Sequence, residues 1–216
     1  MQFNLSDHPS IASQYIAQIR DAAIQKDSLR FRKNMERIGS VLAYEISKTL
    51  HYTQKDVETP LGIANCQVPT DEIVLGTILR AGVPMHQGML QIFDQASNAF
   101  VSAYRKQHKD GSFDVRLEYI SCPDLTGKVL IIADPMLATG ASMSLALDNL
   151  LQYGKPSKIH IVTAIAATPG LNHMIRMYPE ASIWMGALDE ELTAKSYIVP
   201  GLGDAGDLAY GEKVQE

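Results

Sequence analysis

Residues 128–142 read KVLIIADPMLATGAS. Val129–Ala133 is apolar at every position, which is typical of a strand covered on both faces of a parallel sheet. Asp134 follows the strand directly, and the next residues form a turn of small and hydroxyl side chains. Ligands of parallel sheets bind beyond the carboxyl ends of the strands, so this turn lies where a binding site is expected.

The turn leads into a helix that is predicted to begin near Ser142. The first turn of a helix offers unpaired backbone N–H groups and a favourable dipole to an anion. Thr139 and Ser142 add hydroxyl donors, and Gly140 allows a ligand to approach the backbone closely. A carboxylate repels phosphate, so Asp134 fits the binding of sugar hydroxyls or of hydrated Mg²⁺. The pattern favours a sugar phosphate, and an ordinary strand–turn–helix connection capped by Asp134 stays open as the alternative.

The chain from residue 73 onward alternates short β-rich runs with helical ones. This is the pattern of parallel strands joined by crossover helices. Strands are predicted at residues 73–78, 129–133, 159–166 and 182–187, and helices at about 84–93, 142–153 and 171–177. The sequence therefore predicts an α/β fold with a central, mostly parallel sheet flanked by helices.

The N-terminal part is predicted to be helical. An earlier helix is expected over residues 11–24. Between residues 27 and 50, apolar side chains recur every three or four positions, as in an amphipathic helix: Phe31, Met35, Ile38, Leu42, Ile46 and Leu50.

Two hairpins are also predicted. Residues 52–57 and 63–68 flank Thr59-Pro60-Leu61-Gly62, whose turn chemistry indicates a tight connection. Residues 99–104 and 113–120 are expected to form a longer hairpin that stands off the core.

Composition limits the class of protein. The 216 residues are 46% hydrophobic and 20% charged, as in an ordinary globular protein, and a net charge of −5 argues against nucleic-acid binding. No linker divides the chain, so one domain is predicted over residues 1–216, with N-terminal helices at about 9–50 and a core at about 70–190. Apolar runs are far shorter than the roughly 18 residues of a membrane span, and no secretory signal is visible, so no membrane contact and a cytoplasmic location are expected.

Cysteine and histidine give no sign of a metal or redox site. Cys66 and Cys122 form no disulfide framework and are predicted to be buried thiols. No histidine has metal-ligand spacing to another histidine or to a cysteine, so core or surface roles are expected for His8, His51, His86, His108, His160 and His173. A metal hydrolase is therefore not supported.

The opening stretch resembles a motif of a known enzyme family. An apolar strand, then Asp, four residues and Thr-Gly resembles the phosphoribosyl-pyrophosphate (PRPP) motif of type I phosphoribosyltransferases. The variant Asp134-Pro135-Met136-Leu137-Ala138-Thr139-Gly140 is similar to the uracil phosphoribosyltransferase family in particular, where Pro replaces a second acid. The resemblance implies a type I phosphoribosyltransferase-like fold with a protruding β-hairpin and a C-terminal base-binding segment.

Three further stretches resemble this family, in the family's order. Ile78-Leu79-Arg80-Ala81-Gly82 resembles its pyrophosphate loop, and Tyr104-Arg105 resembles the Tyr-Arg of its hairpin. Residues 197–207, YIVPGLGDAGD, resemble the segment that forms its uracil pocket, about residues 196–211. The glycines and acids of this run are expected to form neither strand nor helix. A pocket rich in backbone groups suits uracil, whose two carbonyls accept from N–H donors and whose N3–H donates to a carbonyl.

The resemblance implies transfer of a 5-phosphoribosyl group from PRPP to N1 of uracil. PRPP contacts are implied for Arg80, Arg105, Asp134, Pro135, Met136, Leu137, Ala138, Thr139, Gly140, Ala141, Ser142 and Asp204. Uracil contacts are implied for Ile198, Gly203, Asp204 and Ala205, and catalytic roles for Arg80, Asp134 and Asp204. With Pro135 in place of the second acid, Mg²⁺ is expected to be held mainly by the substrate, with Asp204 able to reach it through water. A homodimer or higher homo-oligomer, and GTP as an effector, are further implications.

Several residues depart from the family pattern, and other functions stay open. The departures are Pro84, Gln107, Ala141, Leu208, Ala209 and Tyr210; a basic residue is usual near 208–209. The alternatives are a phosphoribosyltransferase for another base, a regulator that binds PRPP or UMP and controls RNA, and a structural subunit without activity. The intact Gly203-Asp204-Ala205 context weighs against another base, and the negative net charge weighs against the regulator.

Overall fold

The computed structural model describes the backbone of residues 1–107 and 113–212, and the side chains of residues 1–102 and 118–212. In these ranges, the strands are β1 (Gln2–Asn4), β2 (Tyr52–Thr59), β3 (Gly62–Pro69), β4 (Ile73–Leu79), β5 (Ser97–Gln107), β6 (Phe113–Ser121), β7 (Val129–Ala133), β8 (Met136–Leu137), β9 (Lys158–Ala167), β10 (Ser182–Asp189), β11 (Glu191–Leu192) and β12 (Ile198–Val199). The α-helices are α1 (Ile11–Arg20), α2 (Ser28–Ser47), α3 (Val83–Leu90), α4 (Ala141–Leu150), α5 (Thr168–Met177) and α6 (Ala205–Tyr210). No helix in the described ranges has both the length and the apolarity needed to cross a membrane.

The main sheet has the strand order β1-β10-β9-β7-β4-β5-β6, with β8 beside β9. Each neighbouring pair is parallel except β5 and β6, which are antiparallel. The expected mostly parallel sheet with flanking helices is therefore confirmed. The carboxyl ends of β4, β7 and β9 meet at one edge, where Thr77 pairs with Ala133 and Ala133 with Val162.

Alternate residues of β7 face opposite sides of this sheet. Val129, Ile131 and Ala133 belong to one buried apolar cluster, and Leu130 and Ile132 to another. The first cluster includes buried residues of α1, α2, α3 and α6, whereas the second includes those of α4 and α5. Helices thus cover both faces of the sheet, which is why β7 is apolar at every position.

The predicted stripe of α2 is confirmed. Leu50, just beyond the helix, is 7% exposed. The other five residues of the stripe are at most 1% exposed: Phe31, Met35, Ile38, Leu42 and Ile46. Each such side chain contributes about 1.5–3 kcal/mol when it leaves water. Asp27 caps the helix by accepting a hydrogen bond from Arg30 N at 3.1 Å.

Two predicted elements differ from the structure. Helix α1 ends at Arg20 rather than near residue 24, because the Asp21 carboxylate accepts hydrogen bonds from Ala23 N (2.8 Å) and Ile24 N (3.2 Å) and replaces helical bonds. The long hairpin does not stand wholly off the core: β5 pairs with β4, and Ala99 and Val101 are fully buried. Alternation of apolar residues alone did not show that the first half of this strand joins the main sheet.

The two cysteines are unpaired, as expected, but both are only half-buried. Burial nevertheless raises the pKa of the Cys122 thiol to about 11. Cys122 is therefore a poor thiolate nucleophile at neutral pH.

His160 on β9 and Trp184 on β10 form a buried polar pair. Trp184 Nε1 donates to His160 Nδ1 at 3.0 Å, and Nε2 of the same ring has no hydrogen-bond partner among the described residues. Burial, and after it the charge of Lys158, lower the pKa of His160 to about 4. The neutral ring is thus the form that the folded protein accommodates.

We expect this histidine to make stability depend on pH. Its contribution is fully present above the unfolded-state pKa of 6.5 and is lost as the pH falls toward about 4, because only the unfolded chain takes up the proton. Between pH 7 and pH 5 the free energy of unfolding should fall by about 2 kcal/mol on this account. Urea denaturation at both pH values measures it. The decrease should shrink by that amount in His160→Phe, and an equal decrease in both proteins would contradict the assignment.

Candidate active site

Three segments that the sequence singled out meet at the carboxyl edge of the sheet. They are the loop after β4, the loop after β7, and the C-terminal segment that includes β12 and α6. The tyrosine–arginine motif falls on β5 at Tyr104-Arg105, but its side chains lie outside the described ones. The assignment of Arg105 therefore stays a prediction.

The loop after β7 forms the expected helix N-terminus. Helix α4 begins at Ala141, and Gly140 precedes it with φ 84°, a conformation that favours glycine. A Cβ at position 140 would lie 2.8 Å from Cδ2 of His173, so the packing also requires glycine. Thr139 Oγ1 accepts from Ala141 N at 3.3 Å, while Thr139 and Ser142 remain half-exposed. The loop therefore presents hydroxyl and N–H groups of a helix start at the sheet edge, as a phosphate cradle requires.

The middle of this loop is built into the fold. Pro135 O accepts from Ala164 N (3.2 Å) and Ile165 N (3.0 Å), and β8 continues this pairing with β9. Leu137 is only 1% exposed. Asp134 is half-exposed directly after β7, and its N–H donates to Val162 O at 3.0 Å. The backbone of Asp134 is thus fixed at the strand end.

Helix α5 packs behind residues 138–142, the candidate phosphate cradle, which the sequence did not indicate. His173 Nε2 and Ser144 Oγ are hydrogen-bonded at 2.9 Å. A Cβ at Gly170 would lie 2.4 Å from Ala138 O, so the start of α5 touches the cradle backbone. His173 was predicted in a core or surface role, and its half-buried ring packs against α4 through Ser144.

The loop after β4 lies against the end of β7. A Cβ at Gly82 would be 2.2 Å from Thr77 Oγ1 and 3.0 Å from Ala133 O, so only glycine allows this approach. The Leu79–Arg80 peptide bond is cis. Arg80 itself is exposed, and Pro84 is the second residue of α3, where its missing N–H costs nothing.

Arg80 connects this loop to the C-terminal segment. Its Nη2 lies 3.4 Å from Asp207 Oδ1 and 3.3 Å from Gly211 O. Arg80 and Asp207 are 127 residues apart in the sequence. Because both groups are substantially exposed, the ion pair adds little stability, and the contact matters as evidence of proximity.

The prediction that the glycines and acids of residues 197–207 form neither strand nor helix is wrong at the end of this run. Helix α6 begins at Ala205 and includes Gly206 and Asp207, while the apolar residues 198–199 form β12. Asp204 caps this helix, because its Oδ1 accepts from Gly206 N (2.8 Å) and Asp207 N (3.0 Å). An acid followed by small residues acts here as a helix start.

The residues expected around uracil divide into two kinds. The side chains of Ile198 and Ala205 are buried in the main apolar cluster, whereas Gly203 is exposed with φ 92°. Asp204 is half-exposed between them. The buried side chains anchor the segment, and its backbone around Gly203 is accessible to a ligand together with the half-exposed Asp204 side chain.

Arg32 of α2 contacts the C-terminal end of α6. The family pattern usually has a basic residue near 208–209, where this chain has Leu208 and Ala209. Arg32 Nη1 donates to Ala209 O at 2.6 Å, and its guanidinium lies 5.9 Å from the Tyr210 ring centroid. A cation is favourable at a helix C-terminus. The departures at 208–210 therefore leave α6 with a cationic partner from another helix.

Within the described ranges, no group of three or more His, Cys, Asp or Glu side chains could hold a metal ion. Asp134, Asp204 and Asp207 bring carboxylates to this edge, and Asp207 lies beside Arg80. Mg²⁺ usually keeps several waters and binds through one or two carboxylates together with substrate phosphates. The residues present therefore fit an ion that arrives with a polyphosphate and not one held by the protein alone.

Comparisons with known proteins agree with this geometry. The family model described as uracil phosphoribosyltransferase matches residues 5–212. A Porphyromonas gingivalis protein named uracil phosphoribosyltransferase is 52% identical over 212 residues, 98% of each chain, and one from Pyrococcus furiosus is 36% identical over 99% of this chain and 91% of its own. A solved structure from Aquifex aeolicus superposes with a TM-score of 0.88 at 34% identity, covering 100% of both chains. The chain belongs to the uracil phosphoribosyltransferase family.

Proposed function

We propose that this protein transfers the 5-phosphoribosyl group of PRPP to N1 of uracil, giving UMP and pyrophosphate. The observation that carries the proposal is the contact of Arg80 with Asp207 and Gly211, at 3.4 and 3.3 Å. It brings the pyrophosphate loop against the base segment, at the sheet edge that also holds the phosphate cradle. A reaction that joins a base to a sugar while pyrophosphate leaves needs these three functions side by side.

The PRPP-binding roles follow from the groups that each loop exposes. The cradle, residues 138–142, binds the 5-phosphate through N–H and hydroxyl donors. Asp134 binds the ribose hydroxyls. Arg80 binds pyrophosphate with its fork of donors, and Arg105 adds a second cation there.

The base is recognised mainly by backbone. Ile198 and Ala205 fix the segment in the core, and the peptide groups around Gly203 face the base. Uracil offers two carbonyl acceptors and one N3–H donor, while cytosine carries an amino group in place of one carbonyl. A pocket that satisfies uracil leaves a buried donor facing that amino group, and such a mismatch is costly.

The chemical step breaks the bond between the anomeric carbon and a pyrophosphate oxygen and forms the bond from that carbon to N1. The N1 proton is released, and both bonding electrons of the broken bond leave with pyrophosphate. Positive charge develops on the ribose, so the residues act by positioning and electrostatics: Arg80 on the leaving group, and Asp134 and Asp204 beside the sugar. No covalent nucleophile is needed. Bound with PRPP and reached by Asp204 through water, Mg²⁺ would add positive charge that favours departure of pyrophosphate.

Product analysis tests this proposal. The purified protein, PRPP, Mg²⁺ and labelled uracil should give UMP and pyrophosphate in equal amounts, with product lost when EDTA is added and restored by Mg²⁺. A parallel reaction with GTP tests whether that nucleotide is an effector. If PRPP or UMP binds but no UMP forms with or without GTP, the reaction is wrong and a regulatory role takes its place.

We also propose that the protein works as a homo-oligomer. The hairpin β2–β3 pairs only with itself among the described strands, and it exposes Leu61 completely and Ile63 to 75%. Exposed apolar side chains at such a place favour burial against another subunit. Sedimentation velocity should give a dimer or larger species, and Leu61→Asp with Ile63→Asp should shift it toward monomer. A wild-type monomer at micromolar concentration would contradict the proposal.

A further inference from the structure

A largely buried ion pair lies at the carboxyl end of β10, outside the residues assigned above. Arg20, the last residue of α1, donates from Nη1 to Asp189 Oδ2 and from Nη2 to Asp189 Oδ1, both at 2.7 Å. The Asp189 side chain is 6% exposed and that of Arg20 is 22% exposed. Two short parallel bonds to one carboxylate fix both the distance and the plane of the pair.

The same two side chains hold Gly201 of the base segment. Asp189 Oδ2 accepts from Gly201 N at 2.9 Å, and Arg20 Nη1 donates to Gly201 O at 3.0 Å. Gly201 has φ 56°, and a Cβ there would lie 2.2 Å from Ile198 O. The peptide groups on both sides of Gly201 are thus tied to one ion pair, within the turn that leads to Gly203.

The turn after α1 holds the next residue as well. With its amide nitrogen facing the two carbonyls, Gln25 donates to Leu202 O at 2.8 Å and to Ile19 O at 3.1 Å. Carbonyls of Gly201 and Leu202, consecutive in the chain, therefore accept hydrogen bonds from the α1 region. The carbonyl of Leu202, the residue before the exposed Gly203, is therefore held in one orientation.

The ion pair is poorly explained by stability alone. Removing two charges from water carries a large penalty, and apolar residues often stabilise a protein as well as a buried pair does. Burial opposes ionisation of Asp189, but the hydrogen bonds from Arg20 and Gly201 N outweigh it and hold the pKa of Asp189 below its usual value. The carboxylate stays charged, and both of its oxygens accept hydrogen bonds.

Asp189 also reaches the phosphate side of the site. Thr168 Oγ1 donates to Asp189 O at 3.3 Å, and Thr168 is the first residue of α5, the helix that touches the cradle. The direct side-chain contacts, however, all go to the base segment and to Arg20. Loss of the Asp189 carboxylate should therefore weaken uracil binding more than PRPP binding.

We propose that Arg20 and Asp189 are positioning residues that hold Gly201 and Leu202 so that the backbone around Gly203 is aligned for uracil. This inference rests on the proposed function and adds to it the residues that set the shape of the base pocket. Neither side chain needs to touch the substrate. Their removal should weaken uracil binding and leave PRPP binding nearly intact.

Asp189→Asn tests this positioning. Both carboxylate oxygens accept hydrogen bonds from N–H donors of Arg20 and Gly201. In the Asn variant the amide NH₂ replaces one of these oxygens and faces a donor instead of accepting from it. Arg20→Lys is the second variant, because lysine keeps the charge but cannot make the paired bonds. In steady-state assays of UMP formation we expect the KM for uracil to rise by about tenfold or more, and the KM for PRPP to change by less than about twofold.

Two control variants separate positioning from general damage. Lys48→Gln removes a surface ion pair of the same 2.7 Å length, Lys48–Glu45, and should change neither KM. Ile16→Ala opens a gap under α1, one turn before Arg20, without touching the ion pair. It should lower the melting temperature and leave the ratio of the two KM values unchanged.

Each result decides the matter. A uracil KM within about twofold of wild type in a folded variant, or equal rises in both KM values, overturns the positioning role. The role is also overturned if Ile16→Ala reproduces the split. If Asp189→Asn does not fold, Arg20→Lys decides by the same criteria. A wild-type protein that makes no UMP contradicts the proposed function, whereas an active wild type with unsplit variants contradicts this inference alone.

Discussion

Arg80→Ala is expected to lower kcat/KM for UMP formation by about 10²-fold or more, because it removes a cation from the leaving pyrophosphate in the transition state. Arg80 is exposed at the site edge, so the loss should not come from unfolding. Initial rates at saturating uracil and varied PRPP measure it. A melting temperature close to that of wild type should accompany the loss.

The second contact of Arg80 requires its own control. Arg80 also lies 3.4 Å from Asp207, so alanine could act by releasing α6. Asp207→Asn weakens that contact and keeps the guanidinium, and we expect a much smaller loss than in Arg80→Ala. Near-normal rates in Arg80→Ala, or equal losses in both variants, would remove Arg80 from the role on pyrophosphate.

Asp204→Asn is expected to have a similarly large effect, about 10²-fold or more on UMP formation. Asparagine caps helices as well as aspartate does, so the bonds to Gly206 N and Asp207 N can persist while the negative charge is lost. The loss therefore reports the charge near the developing cation of the ribose. Rates of UMP formation and the melting temperature of the variant are the two measurements.

Asp207→Asn is the matched control for Asp204→Asn as well. It makes the same change of charge three residues along, on a half-exposed side chain of α6. Equal rates in the two variants would mean that general electrostatics of the segment, and not the position of Asp204, matters. A nearly normal rate in Asp204→Asn would withdraw Asp204 from the chemistry.

The central strands β4, β7, β9 and β10 could be predicted because their physical signal is local, whereas the short strands β1 and β8 of the same sheet were missed. Val129–Ala133 was predicted with its observed bounds, since complete apolarity followed by Asp134 marks both the burial and the end of a strand. The stripe of α2 was equally clear, because a helix that packs on one side repeats its apolar residues. Such patterns need no knowledge of distant residues.

The elements that were missed depend on partners far away in the sequence. Helix α6 has only six residues, too few for its apolar spacing to stand out in the sequence, and it is held by Asp204 at its start and by Arg32 from α2 at its end. The interaction of Arg20 with Asp189 joins positions 169 apart. Asp189 ends β10, as Asp134 follows β7, but nothing in the local sequence indicated its partner.

The site was predictable in its parts and not in its arrangement. Motifs placed Arg80, the cradle and the C-terminal segment on separate stretches, and parallel strands implied a shared edge for the first two. The contact between Arg80 and α6, and the support of the cradle by His173, required the folded chain. The roles of the individual residues toward substrate remain proposals that the variants above test.

A comparison of four bases in one assay tests the proposed reaction with uracil most directly. Labelled uracil, cytosine, hypoxanthine and adenine are each incubated with the protein, PRPP and Mg²⁺, and nucleotide formation is followed over time. We expect UMP from uracil and, from each of the other bases, a kcat/KM lower by about 10²-fold or more. Preferential product from another base would contradict the reading of the segment around Gly203, and no product from any base would contradict the proposed reaction itself.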